Sequence, residues 1–486
     1  MWCQCYRIHP FRKEAHFILE YHDDRVNMGE PQISHSSASF SGSCGIRDIW
    51  DAAIVSKVIA DPRRIHGRMQ WWEVACLAAG SASMLLFVLR LWFNIFSSQP
   101  LLFTTDLEEE ALFALWNAFH GGAVYPEPFR IPYQGVYFNW LFYTVYGSGV
   151  RFLAPMWGDI GVSLPAAARC VSIVISGGTI AVASLLLVEL MGRRRFHAVP
   201  VAMVSAAVWC PLFSFYSLTA RPDLGALLCD LIGLSVFWRW GRSGPSLGLI
   251  AAVIACYASW AFKHSSIIGA GSIVLYLLSE RRWLRSVSFG AGFSALIVAT
   301  LVGGGSFYRY WIIFSQRNCD ILPALALENF GKACMLSPFL VAGIFAAASP
   351  LPWRMSWHRL LPRDRFTRIW FLVSLISMLA MSMKGGAGLI YFLPPTLAAV
   401  MLLGVRLADV REIPAAGRNL VALVVLAGIC QVVGTVAVLA GAGTIFGDAG
   451  EVSRRDQDAR FRALRAALDT LDGPVFVDER SANVPW

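Results

Sequence analysis

Charge is what this chain has least of. Only 15% of its 486 residues are Asp, Glu, Lys or Arg, while 56% are of the hydrophobic class. A soluble chain carries roughly a quarter charged residues, so a water-soluble domain of this length does not fit. Repeats of fixed period and low-complexity tracts are missing too, which leaves no sign of a solenoid or an array. No metal-type cysteine spacing occurs, Cys3-Gln4-Cys5 being too short and isolated to hold an ion. A secretory signal is also lacking, the first apolar stretch beginning only at Trp71. Residues 1–70 are polar and without clear period. They read as a disordered leader, or as translation from a start upstream of the natural one, with Met69 just before Trp71-Trp72-Glu73.

Long apolar runs are what the chain does have. Stretches of about 17–25 residues, enough to cross a bilayer core of roughly 30 Å, recur from Trp71 onward. The spacing predicts an all-α polytopic membrane protein. Spans fall at 72–96, 166–191, 198–217, 224–240, 245–262, 265–279, 286–302, 336–352, 369–383, 389–405 and 419–441, about eleven in all. The net charge of +9 resembles a nucleic-acid signal until the basic residues are placed. With the amino terminus inside, Arg193-Arg194-Arg195, Arg281-Arg282 and the 353–368 stretch share the inner side, in keeping with the positive-inside bias. That arrangement requires the apolar stretch 136–154 not to cross. Its Tyr137, Phe138, Trp140, Phe142, Tyr143 and Tyr146 suit a helix lying in the interface. Three regions result: a cytoplasmic leader 1–70, a transmembrane domain 71–441, and a short outer segment 442–486. In the last, 460–471 has helical spacing and Val475-Phe476-Val477 reads as a strand. Most of the eleven cysteines lie in spans. Cys319 and Cys334 share the outer loop 303–335, where a disulfide is permitted but two free thiols are the simpler expectation.

Three features carry possible chemistry. Asp106-Leu107-Glu108-Glu109-Glu110 follows the first span directly, and carboxylates at a membrane mouth are costly enough to imply a use. Asp106 is the candidate base. The plainer reading is a capping box with Glu109, and Glu108, Glu109 and Glu110 read as a solvated helix face. Leu107, Phe113, Leu115, Trp116 and Phe119 would rest on the membrane surface, and Gly121-Gly122 would end the helix. Next, Thr219-Ala220-Arg221-Pro222-Asp223 opens a span on the same side, with Arg221 suited to a phosphate. Pro and Asp there are equally ordinary capping chemistry. Asp230, seven residues on, is an intramembrane carboxylate that must be paired or neutral. Last, Lys263-His264 and Lys384-Gly385-Gly386 interrupt apolar runs as tight outer turns. They are either simple hairpins with snorkelling lysines or, with Arg221, a cationic patch for a lipid-linked phosphate.

Together these residues resemble the GT-C class of integral-membrane glycosyltransferases. The nearest look-alikes are the bacterial protein-mannosyltransferase-like and aminoarabinose-transferase-like enzymes, grouped with lipopolysaccharide-core transferases. The matching stretches are Phe103 to Tyr125, Tyr137 to Gly147, Ala220-Arg221-Pro222-Asp223 and Lys384 to Pro395, the last including Tyr391. Ile390 stands where look-alikes often have Asn, and the terminal segment is short. The resemblance implies transfer of a hexosyl or pentosyl group from a polyprenyl-phosphate donor to a glycan, lipid or protein acceptor. The site would face the periplasm from a bacterial plasma membrane. It implies Asp106 as base or acceptor-positioning group, and Asp223 as the acid that helps hold the site or a divalent metal, with no other cofactor implied. Arg221, Lys263, His264, Lys384 and Tyr391 would bind substrate. Two rivals remain: a transporter or flippase of lipid-linked saccharides, for which Asp230 and Arg90 speak, and a non-catalytic membrane scaffold.

Overall fold

The computed structural model describes residues 70–96, 106–128, 135–153, 155, 160–192, 198–214, 216–242, 244, 246–315, 320–348, 360–384, 387–409 and 414–446. The chain divides after Ile65. The leader, the terminal helix and strand expected at 460–477, and Arg193-Arg194-Arg195 lie outside the described residues.

Fourteen helices are labelled here in chain order. They are α1 (Trp71–Phe96), α2 (Asp106–Phe119), α3 (Trp140–Leu153), α4 (Ile160–Leu190), α5 (Ala198–Val208), α6 (Pro222–Val236) and α7 (Ser246–Phe262). Then follow α8 (Ile268–Ser279), α9 (Trp283–Gly303), α10 (Pro323–Leu336), α11 (Pro338–Ala348), α12 (Pro362–Met381), α13 (Leu393–Asp409) and α14 (Pro414–Phe446). Among the described residues an isolated bridge between Ile321 and Lys384 stands in place of any strand. The protein is all-α, and the helices are apolar on nearly every face, as buried or lipid-facing helices must be.

Each stretch drawn as a span in the sequence contains a helix, though 198–217 is a regular helix only as far as Val208, after which the chain turns. Among the described residues six helices are long and apolar enough to cross a membrane alone, and α10 with α11, bent by 102°, would count as a seventh if the pair forms one span. Helices α5, α7 and α8 are apolar but shorter. Helix α12 falls outside both groups because it begins with charge. Its first turns, Pro362-Arg363-Asp364-Arg365, belong to the helix, where the sequence suggests a loop over 353–368. The reason is packing. Asp364 pairs with Arg368 at 3.2 Å and with Arg406 of α13 at 2.5 Å, while Arg365 reaches Glu280 at 2.6 Å. Arg365 and Arg368 are buried and held in these pairs, so the helix can start inside its own ion-pair network.

Two ends of the bundle follow from such contacts. Glu280, Arg282, Arg242, Asp364 and Arg406 meet at one. Asp223, Lys263, Tyr391 and Ala220 meet at the other, joined by Glu108 of α2 and Asn139 before α3. Of the arginine clusters grouped on one side in the sequence, Arg281-Arg282 and the described part of the 353–368 stretch share one end, while Arg193-Arg194-Arg195 lies outside the described residues.

Inside the bundle, hydroxyls answer to carbonyls one turn back: Thr179 to Ile175, Ser272 to Ile268 and Ser374 to Trp370. With no water at hand, that keeps polar side chains satisfied within a single helix. Rings of Phe237, Tyr276 and Phe366 pack edge-on or tilted where α6, α8 and α12 meet.

Candidate active site

The site starts at the amino end of α6. Pro222 occupies the first helical turn and needs no N–H there, while Arg221 before it is extended and caps nothing with its side chain. Asp223 turns instead to the α7–α8 connection. Lys263 Nζ lies 2.5 Å from Asp223 Oδ1, and Arg221 Nε lies 3.8 Å from Oδ2. Lys263 also stands 4.2 Å from the centre of the Tyr391 ring, and the Arg221 guanidinium 5.3 Å from that of Tyr216. Both are cation–π distances. The cationic patch expected from Arg221 and Lys263 is thus built around a carboxylate, which holds both cations in place. Burial by itself would lower the Lys263 pKa, yet the Asp223 charge, the neighbouring Tyr391 and the hydrogen bond to Asp223 together outweigh it and the pKa is raised.

Arg221 is buried, and its Nε has no hydrogen-bond partner among the described residues. His264 Nδ1 is in the same position. Burial, with Lys384 and Lys263 nearby, lowers the His264 pKa to about 4, so the ring is neutral at neutral pH. An orphaned guanidinium donor beside two lysines is a place where an anion would be satisfied.

Below this lies Asp230, buried on α6. It accepts hydrogen bonds from Ser266 Oγ and the Gly269 amide, each at 3.3 Å. Helix α8 begins after Ile267, which cannot cap it. Asp230 therefore serves as the acid at that helix amino terminus from a neighbouring helix. Gly269 must be glycine, since a Cβ there would sit 2.5 Å from Asp230 Oδ1. Asp223, Asp230, Lys263, Ser266 and Tyr391 line a cavity of about 30 Å³, room for a water.

The first outer loop meets this centre through a residue that the sequence reading placed in solvent. Glu108 is fully buried. It takes Arg169 of α4 with two 3.2 Å hydrogen bonds and accepts the Ala220 amide at 2.8 Å. That last bond ties the first turn of α2 to the turn bearing Arg221 and Asp223. Helix α2 therefore does not simply rest on the membrane. Ala111, Leu112, Ala114 and Leu115 are buried, leaving Trp116 exposed. It ends as expected, with Gly121 at φ +83 in the left-handed region open to glycine. The Asp106 and Glu109 side chains lie outside the described residues.

Aromatic residues of α3, read as interface anchors, pack inward as well. Phe142 and Tyr146 are fully buried. Tyr146 OH lies 2.8 Å from Ser172 Oγ, which donates to the Thr219 carbonyl at 2.7 Å, a second tether on the same turn. Asn139, unremarked in the sequence, fastens the start of α3 to the end of α7 instead: its amide donates to the Trp260 carbonyl at 2.9 Å while Oδ1 accepts from Tyr308 OH. A buried arginine within an apolar run, Arg169, was the signal that could have found Glu108.

Among the described residues no group of three or more His, Cys, Asp or Glu could hold a metal ion. Asp223 is already engaged by two cations, so it does not fit a divalent metal, and no step below is routed through one. Cys334 is a free thiol, and Cys319 lies outside the described residues.

No family model and no curated protein matches the chain. Solved structures do. ArnT from Cupriavidus metallidurans bound to undecaprenyl phosphate aligns with a TM-score of 0.50 at 14% identity, over 83% of this chain and 84% of that one. The same protein in the apo state aligns at a TM-score of 0.44 and 14% identity, over 74% and 76%. At that identity the likeness speaks for the fold alone, an ArnT-like arrangement of membrane helices.

Proposed function

We propose that the chain is an integral-membrane glycosyltransferase. It moves a hexosyl or pentosyl group from a polyprenyl-phosphate donor to a glycan, lipid or protein acceptor, on the periplasmic face of a bacterial plasma membrane. The observation that carries the reading is the buried Arg221 Nε without a hydrogen-bond partner, beside the Lys263–Asp223 pair at the end of an apolar bundle. An anion attached to a long hydrocarbon chain matches both halves of that description. A protein of similar fold binding undecaprenyl phosphate agrees with it.

In this reading the donor phosphate lies against Arg221, Lys263 and Lys384, with His264 and Tyr391 completing the wall. Asp106 takes the proton from the acceptor hydroxyl as its oxygen attacks the anomeric carbon. The bond from that carbon to the phosphate oxygen breaks on the opposite face, so configuration inverts. Charge developing on the departing phosphate is stabilised by the cations. Asp223 acts through Lys263 and Arg221 as a positioning residue. Asp106→Asn in a membrane preparation is expected to lower transfer by 10²- to 10⁴-fold, the usual worth of a positioned base. Full activity would remove Asp106 from that role.

The transporter reading loses its two supports. Arg90 donates to the Pro211 carbonyl and to Ser214, tying α1 to the turn after α5, and Asp230 holds the start of α8. Movement of a lipid-linked saccharide by purified protein without a new glycoside would restore it.

A further inference from the structure

At the end of the bundle away from Asp223, the α8–α9 hairpin gathers arginines that have no acid to balance them among the described residues. Glu280, the nearest carboxylate in sequence, is taken by Arg365 at 2.6 Å. Arg242, Arg281, Arg282 and Arg285 form no ion pair among the described residues. Two of the four are held rigidly. Arg282 donates to the Arg242 carbonyl. Arg285 donates to the carbonyls of Gly241 and Arg242 at 3.2 Å and of Gly244 at 3.0 Å. Their side chains are thus fixed before any ligand arrives, with further guanidinium N–H groups to offer. Arg281 is exposed, and its backbone is in the left-handed region at φ +60, a conformation that non-glycine residues rarely adopt.

These residues border a shallow, largely open depression of about 500 Å³ lined by Arg281, Arg282, Trp283, Leu284 and Arg285. Its floor is apolar and bare: Trp283 is 61% exposed and Leu284 85%. Val287, one turn along α9, continues the same exposed surface, and Leu247 and Ile250 of α7 are exposed as well. A phosphate alone would have no use for that floor. A phosphate carrying acyl chains would use both parts.

We propose that this hairpin is a binding site for an anionic phospholipid, whose headgroup phosphate sits among Arg281, Arg282 and Arg285 while its chains run along Trp283, Leu284 and Val287. The site is on the opposite side of the bundle from the candidate active site and does not depend on the transferase reading. Juxtamembrane arginines attract anionic headgroups, and each is worth roughly fivefold in affinity.

The test uses the full chain in a neutral detergent, with phosphatidylglycerol and phosphatidylcholine as probes at equal mole fraction. Lipid retained is read by native mass spectrometry, and thermal unfolding is followed in parallel. The wild-type protein should retain phosphatidylglycerol at least fivefold over phosphatidylcholine and unfold at higher temperature in its presence. Arg281→Gly should lose most of that preference. Glycine suits the backbone at this position, so its unfolding temperature without lipid should be unchanged or higher. Arg281→Gln, which keeps the side-chain length, should behave as the glycine variant does. Equal retention of the two lipids, or a preference that survives both variants, overturns the proposal. So does millimolar inorganic phosphate that matches the stabilisation given by phosphatidylglycerol, which would make this an anion site without a lipid.

Discussion

Lys263 shows how one residue sets the character of the site. Its ammonium is kept by Asp223 at 2.5 Å and faces the Tyr391 ring at 4.2 Å. Lys263→Met would leave Asp223 buried with Arg221 alone at 3.8 Å. Breaking a buried pair from one side costs about 3–5 kcal/mol, so thermal unfolding in detergent should fall clearly. Transfer should drop by about 10²-fold or more through loss of phosphate stabilisation. Lys263→Arg, which keeps the charge, should recover most of the stability and less of the rate. His264 gives a prediction in pH. Its pKa is lowered from 6.5 to about 4, so between those values the unfolded chain binds the proton that the folded chain refuses. Its contribution to stability is then complete above pH 6.5 and is lost as pH falls toward 4. His264→Gln should flatten the stability profile in that window. The activity profile of the wild type should show no inflection near 6.5 from this ring.

At the scale of elements, the fastening of α2 decides whether the first outer loop can act with α6. Glu108 meets Arg169 of α4 and the Ala220 amide, so one carboxylate joins three segments. Glu108→Ala takes from the Arg169 guanidinium, which is only 2% exposed, the carboxylate that accepts two of its hydrogen bonds. A loss of about 3–5 kcal/mol is expected, with activity falling in the molecules that remain folded because α2 loses its register on α6. Adding Arg169→Leu should restore part of the stability, as a non-polar replacement of a buried pair often does, without restoring activity. A double-mutant cycle on unfolding temperature and transfer rate separates the two effects. This element also marks how far the sequence could be read. The helix, its glycine stop and its acidic start were legible from spacing and turn chemistry. Which acid was buried was not, because helical spacing assigns a face but the identity of the face's neighbour comes from a residue 61 positions away. Arg169 carried that information, hidden in a run whose other residues are apolar or small. The inward packing of the α3 aromatics was illegible for a like reason: rings at an interface and rings in a core have the same sequence pattern.

Across the described residues hydropathy located the long apolar helices, and arginine placement grouped Arg281-Arg282 with the turn before Arg368 correctly. It missed α10, which lies in the stretch drawn as the outer loop 303–335, and the start of α12, because charge in a sequence reads as exposure unless the partner is known. Asp364 is that partner. It engages Arg368 on its own helix and Arg406 on α13, while Arg365 and Glu280 add α8. The knot fastens three helices at one end, and the 15 residues of α6 run toward the other over roughly 22 Å, at about 1.5 Å per residue. The two ends should therefore be separable by mutation. Asp364→Ala leaves Arg368 and Arg406 facing each other without a counter-charge, so destabilisation should be at least as large as for Lys263→Met, about 3–5 kcal/mol or more. Yet Asp223, Lys263 and Tyr391 keep their partners, and the rate per folded molecule should hold within about twofold, as expected for sites well beyond 10 Å. Unfolding temperature measured beside transfer normalised to folded protein checks this. A rate that collapses together with stability would mean the far-end knot and the candidate site move as one unit, and that the bundle is not two separately fastened ends.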